Sequence, residues 1–237
     1  MTERYELVDA TVRDWDAVVL ASGPDGVVLD RSAFYPGGGG QPPDHGVLLW
    51  AGVRTRVVGS RRGDDVVLVV HEEDPVPPVG TAVRGALDDA HRTALMRTHS
   101  ALHVLSAVVH RDFAARVTGS GMQPLLGRMD FNLAEVPPDF RTAVEDACNA
   151  AIAADHRVEV RFVAATEAAA LPELSRSEES HVPEGLEIVR LVDIVGLDTQ
   201  ADAGTHVAST AQIGAVRVTK LESKGRGFRR VRLAVEN

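Results

Sequence analysis

Hydrophobic residues in the first third of the chain recur in short valine- and leucine-rich runs: YELVDATV, DAVVLAS, GVVLD, GVLLW, VRTRVVGS and DDVVLVVH. The turn-forming segments GPDG, PGGGGQPPDHG, RRGDD and DPVPPVG separate them. Runs this short with such punctuation predict strands, and their succession predicts a small closed or partly closed β-barrel. After the connector EEDPVPPVG, TAVRGAL is a candidate for one more strand. From Asp88, a candidate N-cap, the period changes. Leu95, Leu102, Leu105 and Val109 recur at helical spacing and predict a long helix to about Arg111, with His99 and His103 flanking the apolar stripe. GRMDFNL then reads as a strand, PPDFRTAVEDACNAAIAADHR as a second helix opened by proline, and VEVRFVA as a strand. ATEAAALPEL predicts a short helix and SRSEESHVPEG a loop, before EIVRLVDI, a loop bearing His206, AVRVTKLE and FRRVRLAV. Two main helices against a strand-rich remainder predict an α+β fold. Its expected division is a small β-barrel over residues 1–86 and, over 87–237, an α+β domain with the long helix packed on an antiparallel sheet.

A chain of 237 residues is long enough to bury two cores, and 44% hydrophobic with 25% charged residues matches an ordinary soluble globular protein. No apolar run approaches the roughly 20 residues that span a bilayer, and the opening segment lacks a signal pattern. A cytoplasmic protein with no membrane partner is the expectation. Cys148 is the only cysteine, which excludes an internal disulfide and a thiolate-rich zinc site; within AVEDACNAAIAA it reads as a buried helix residue. The net charge of −9 argues against wholesale nonspecific binding to nucleic acid. Its distribution is uneven, however: Arg217, Lys220, Lys224, Arg226, Arg229, Arg230 and Arg232 face one acid, Glu222, in the same stretch. That is either a phosphate-binding stripe or the solvated face of a hairpin.

His99 and His103 in RTHSALHVLSA lie one helical turn apart and project from one face, so both imidazoles can reach a single metal ion while His206 in DAGTHVAST closes the far side. Core histidines bonded to backbone carbonyls give the same short pattern.

Three separated segments, AFYPGGGGQPPDHG, RTHSALHVLSA and LVDIVGLDTQADAGTHVASTAQIGAVRVTKLESKGRGFRRVRL, resemble in this order the free-standing AlaX alanyl-tRNA editing proteins, medium-length class, and the editing domain of alanyl-tRNA synthetase. Each motif is moderately specific, and the ordered set is strong. The resemblance implies a β-barrel followed by an α+β editing domain with a zinc site. It also implies hydrolysis of the ester joining serine, or glycine, to the terminal adenosine of alanine tRNA, with tRNA rather than DNA as partner. The family's two HxxxH ligands carry over to His99 and His103, and the histidine of its CxxxH to His206. Its cysteine is replaced here by Asp202. Aspartate supplies the same charge, and its longer reach offsets metal–oxygen bonds of about 2.0–2.2 Å against about 2.3 Å for sulfur. It is a harder ligand and admits other divalent ions more readily. The alternative is that Asp202 orients a histidine or a water instead of ligating.

The resemblance further places Gly38, Gly39 and Gln41 near the acyl group, and a hydroxyl of Thr118, with Ser120 as runner-up, against the substrate side chain. Without it, the glycines are a flexible turn and the hydroxyls belong to loop residues bonding their own backbone. It makes Lys220, Lys224, Arg226, Arg229 and Arg230 phosphate contacts that position tRNA without reading bases. It assigns no catalytic residue. The rivals are a noncatalytic RNA-binding module with a decayed metal site and a related hydrolase of another aminoacyl ester; protein partners are not legible.

Overall fold

The structure is a computed structural model that describes residues 1–63, 65–171, 174 and 185–236. The chain divides into two compact units, Met1–Ala94 and Leu95–Asn237.

In the first unit, side chains of β2 (Asp14–Gly23) alternate so that Trp15, Ala17 and Val19 point inward and the residues between them outward. With β3 (Gly26–Leu29), β5 (Gly46–Trp50), β6 (Val53–Arg62), β7 (Val66–Val70) and β8 (Ala82–Leu87) it closes a barrel in the order β2-β3-β7-β6-β5-β8. Closure leaves these strands no free edge. Trp15, Val27, Leu29, Phe34, Leu48, Leu68 and Val83 fill the interior. Gly85 on β8 is required there, since a Cβ would lie 2.4 Å from the Trp15 ring. YELVDATV is not a strand. The two residues before it, β1 (Glu3–Arg4), pair with β4 (Arg31–Ser32), and Tyr5–Leu7 winds into a 3-10 turn. The reason is local: the buried Glu6 carboxylate takes the Arg4 guanidinium, and Asp9 accepts from Thr11 N and Oγ1 in a tight Asx turn that breaks the extended run.

Helix α1 (Asp89–Phe113) begins where the Asp88 carboxylate accepts from His91 N at 3.1 Å, as expected of an N-cap. In its first turns Arg92 is fully buried and ion-paired to Asp44, with further hydrogen bonds to Ala33 O and Ala10 O.

In the second unit α1 is covered on every side from Thr98 to Val109, so its apolar stripe is only part of what it buries. One side meets the sheet of β9 (Val117–Gln123), β10 (Leu126–Phe131), β14 (Ala215–Ser223) and β15 (Arg229–Glu236), ordered β14-β15-β10-β9. Gly127 admits the helix: a Cβ there would lie 2.8 Å from Leu102. Another side meets β11 (Val158–Ala164), β12 (Ile188–Ile194) and β13 (Asp198–Ala201), where Gln200 Nε2 donates to Ser106 Oγ at 3.3 Å. Helix α2 (Phe140–Ala153) covers the edge strand β14, with Asn149 bonding both N and O of Val216. The short α3 (Ala165–Ala169) packs Ala168 against Val163, Val189 and Leu191. The loop expected over SRSEESHVPEG lies outside the described residues except for Gly185. No helix among the described residues is long and apolar enough to cross a membrane.

Candidate metal centre

Helical geometry brings His99 and His103 to one face of α1, and the loop after β13 returns Asp202 and His206 against them. One donor atom from each of the four residues lies within 4.8 Å of every other. The three imidazole rings pack with centroids 4.3–5.1 Å apart. His206 Nε2 is 2.7 Å from Asp202 Oδ2, and His99 Nε2 is 3.7 Å from Asp202 Oδ1. His99, His103 and His206 are about 95% shielded from solvent. Donors around a four-coordinate zinc stand about 3.3 Å apart, so this cluster needs only a slight contraction to fit.

On His103 and His206 the second ring nitrogen faces another side chain. His103 Nδ1 faces Asp198 Oδ2 at 3.2 Å, leaving Nε2 for the cluster. His206 Nδ1 faces Ser100 Oγ at 3.2 Å, and that oxygen also accepts from Val207 N. Gln200 Nε2 in turn holds Asp198 Oδ2 at 2.8 Å. Such partners fix tautomer and ring orientation in metal-binding histidines. Arg190 Nη1 donates to the Asp202 carbonyl at 2.6 Å, and its charge reaches all three histidines.

Burial holds His206 down to about 4 and His99 well below the usual imidazole value, against the pull of Asp202. Both keep a free lone pair at neutral pH. Burial also disfavours charge on His103, but the Asp198 hydrogen bond and charge outweigh it and raise His103. The Asp202 carboxyl, which burial would raise, is held well below the carboxylate range by His99 and His206. A divalent cation requires neutral imidazoles and an ionised carboxylate: His99, His206 and Asp202 are biased toward those states, whereas His103 is biased toward its charged form and would give up a proton on binding.

The other expected site residues are distributed. Ser120 pairs with buried Met129 and so shares the sheet face turned toward α1. Thr118 is the extra residue of a bulge, unpaired where the register shifts between Asp130 and Phe131. Both are half-buried strand residues of β9, not loop residues. In the first unit, glycines 37–40 all hold positive φ, from 56° to 125°, a conformation costly for other residues. Gly38 and Gln41 exchange backbone hydrogen bonds of 3.0 and 2.9 Å, so the run is a defined turn rather than a slack one. Gly38 and Gly39 are exposed, whereas Gln41 is buried.

The basic stretch forms the β14–β15 hairpin. Arg230 is bidentate to Asp130 at 2.7 Å, and Lys220 and Arg232 share Glu222. Arg229 Nη1 bonds Phe228 O at 2.8 Å. Lys224 and Arg226, at the tip, are exposed and have no ion pair among the described residues. Sequence reasoning did not reach Asp198, Ser100 or Arg190. Asp198 carried the one available signal, a second carboxylate just before the ligand loop.

Two family models match the chain: the threonyl and alanyl tRNA synthetase second additional domain over residues 189–232, and class II (A) tRNA synthetases over residues 9–91. The alanyl-tRNA editing protein AlaX-M of Saccharolobus solfataricus is 33% identical over 238 residues, covering 100% of both chains. That of Methanosarcina acetivorans is 34% identical over 98% of both. The alanine–tRNA ligase of Thermofilum pendens is 35% identical over 86% of this chain and 23% of its own length.

Proposed function

The chain belongs to the AlaX-M family of alanyl-tRNA editing proteins, and from that premise we propose that it hydrolyses the ester joining a wrong amino acid to the terminal adenosine of alanine tRNA. Serine is the foremost substrate and glycine the second. The observation that carries this reading is the convergence of His99, His103, Asp202 and His206 on one buried point. The donors suit zinc, with aspartate admitting other divalent ions more readily than a thiolate would. A bound cation would supply Lewis-acid stabilisation of the charge developing on the carbonyl oxygen once its four-donor shell expands or one donor leaves, and would otherwise anchor the substrate.

The protein's own residues orient and select. Asp198 and Ser100 lock the His103 and His206 rings. A hydroxyl from Thr118, or from Ser120 beside it, pairs with the serine side chain. Alanine leaves that half-buried hydroxyl unpaired, which refuses the correct amino acid more strongly than pocket size alone. Gly38 and Gly39, exposed on their turn, together with Gln41, are the first unit's candidates for substrate contact. Lys220, Lys224, Arg226, Arg229 and Arg230 hold tRNA phosphates, with the tip residues carrying most of that role because Arg230 is already paired.

Deacylation of Ser-, Gly-, Ala- and Thr-charged tRNAs side by side tests the reading: Ser-tRNA is expected to be cleaved fastest and Ala-tRNA spared. Thr118→Val should slow Ser-tRNA cleavage roughly tenfold to a hundredfold and Gly-tRNA cleavage far less. Equal losses would show a structural role, and no loss moves the assignment to Ser120. If all four esters survive, the noncatalytic RNA-binding reading replaces this one.

A further inference from the structure

Phe162, Arg190 and Asp202 stand in one row across the β11-β12-β13 sheet. Phe162 pairs with Arg190 in the antiparallel register, and the next step beyond the Leu191–Ala201 pair sets Asp202 opposite Arg190. The ladder continues there, with Asp202 N donating to Arg190 O at 3.3 Å. Paired residues share a face, and neighbouring strands are about 4.8 Å apart, so Phe162 lies about 10 Å from the Asp202 backbone on the side that carries the metal cluster.

The centre of that face is covered: Val192 and Ile194 are buried. Its β11 margin is not, for Phe162 is 49% and Val160 36% exposed, and Ile188 at the start of β12 is 57% exposed. The opposite face has its own partners in α3, and Phe162 is not part of that cluster. A large aromatic left open beside a cationic side chain, at the rim of a buried polar cluster, calls for a planar apolar partner that carries negative charge nearby.

A nucleotide base supplies that chemistry. We propose that Phe162 is the stacking platform for the terminal adenine of the bound tRNA, with the Arg190 guanidinium between it and the metal cluster. The inference rests on the editing reading. In the editing substrate the adenine hangs from the same ribose that bears the ester, so an ester at the cluster keeps its base within reach of the Phe162 ring about 10 Å away. Stacking is tolerant of base identity and draws its energy from the ring face.

The test is the affinity of the metal-loaded protein for uncharged alanine tRNA with its full CCA end and for the same tRNA lacking the terminal adenosine. Wild type is expected to bind the full-length end about tenfold more tightly. Phe162→Ala and Phe162→Leu should bind both RNAs alike, and Phe162→Trp should restore the difference. Leucine keeps apolar bulk without a ring, so a loss common to alanine and leucine but absent in tryptophan reports stacking rather than misfolding. A Phe162→Ala or Phe162→Leu protein that still discriminates the two ends, or a wild type that never does, overturns the platform. Seryl-tRNA deacylation by the wild type, measured alongside, reports separately on the editing reading.

Discussion

An imidazole is oriented toward a cation when its second nitrogen is held by something else, and His103 and His206 show how. His103 leans on Asp198 and His206 on Ser100. Asp198→Asn removes the charge behind His103 while keeping its shape, and is expected to lower metal affinity about 10- to 100-fold in competition with a chelating dye. Unchanged affinity would make Asp198 a bystander. The four clustered residues were legible in the sequence because His99 and His103 share one segment of fixed period, and Asp202 and His206 fall within one short loop. Their supporting residues were not. Asp198 and Ser100 meet the histidines only when β13 and its loop close on α1, and local pattern carries no trace of that approach.

The barrel strands followed from alternation and turn residues, because each inward position is set by a two-residue period that the chain displays directly. The segment YELVDATV has similar composition but folds as a turn, since side chains of Arg4, Glu6, Asp9 and Thr11 satisfy one another locally. Strand β9 was hidden for the opposite reason: its glycine, serine and threonine residues have little strand preference, and pairing with β10 imposes it. At the start of α1, the Arg92–Asp44 pair ties the segment after the glycine turn to the helix; Asp44 also accepts from Tyr35 N at 2.7 Å. Arg92→Met strands the Asp44 carboxylate in a dry site and should cost about 3–5 kcal/mol in denaturant unfolding. A loss below 1 kcal/mol, on the order of a surface pair, would mean that water reaches the carboxylate.

Across the whole molecule the net charge of −9 is at odds with an RNA partner, and the proposed phosphate contacts of the hairpin would resolve the conflict by concentrating cations at one place. Lys224→Ala with Arg226→Ala should weaken binding to cognate and noncognate tRNAs alike and reduce the salt slope by about two, whereas Arg230→Ala should change the slope little. An unchanged slope in the double variant would leave the tip as ordinary solvated charge. The basic stretch was visible in sequence, but its partial neutralisation by Asp130, distant in the chain, was not. The central claim of the proposed function is that deacylation depends on a cation held by His99, His103, Asp202 and His206, the four residues that cluster in the structure. Its most direct test is the rate of seryl-tRNA deacylation by protein stripped of metal and then resupplied with one equivalent of zinc or another divalent ion. The account predicts loss on stripping and recovery on resupply; full activity in verified metal-free protein would contradict it.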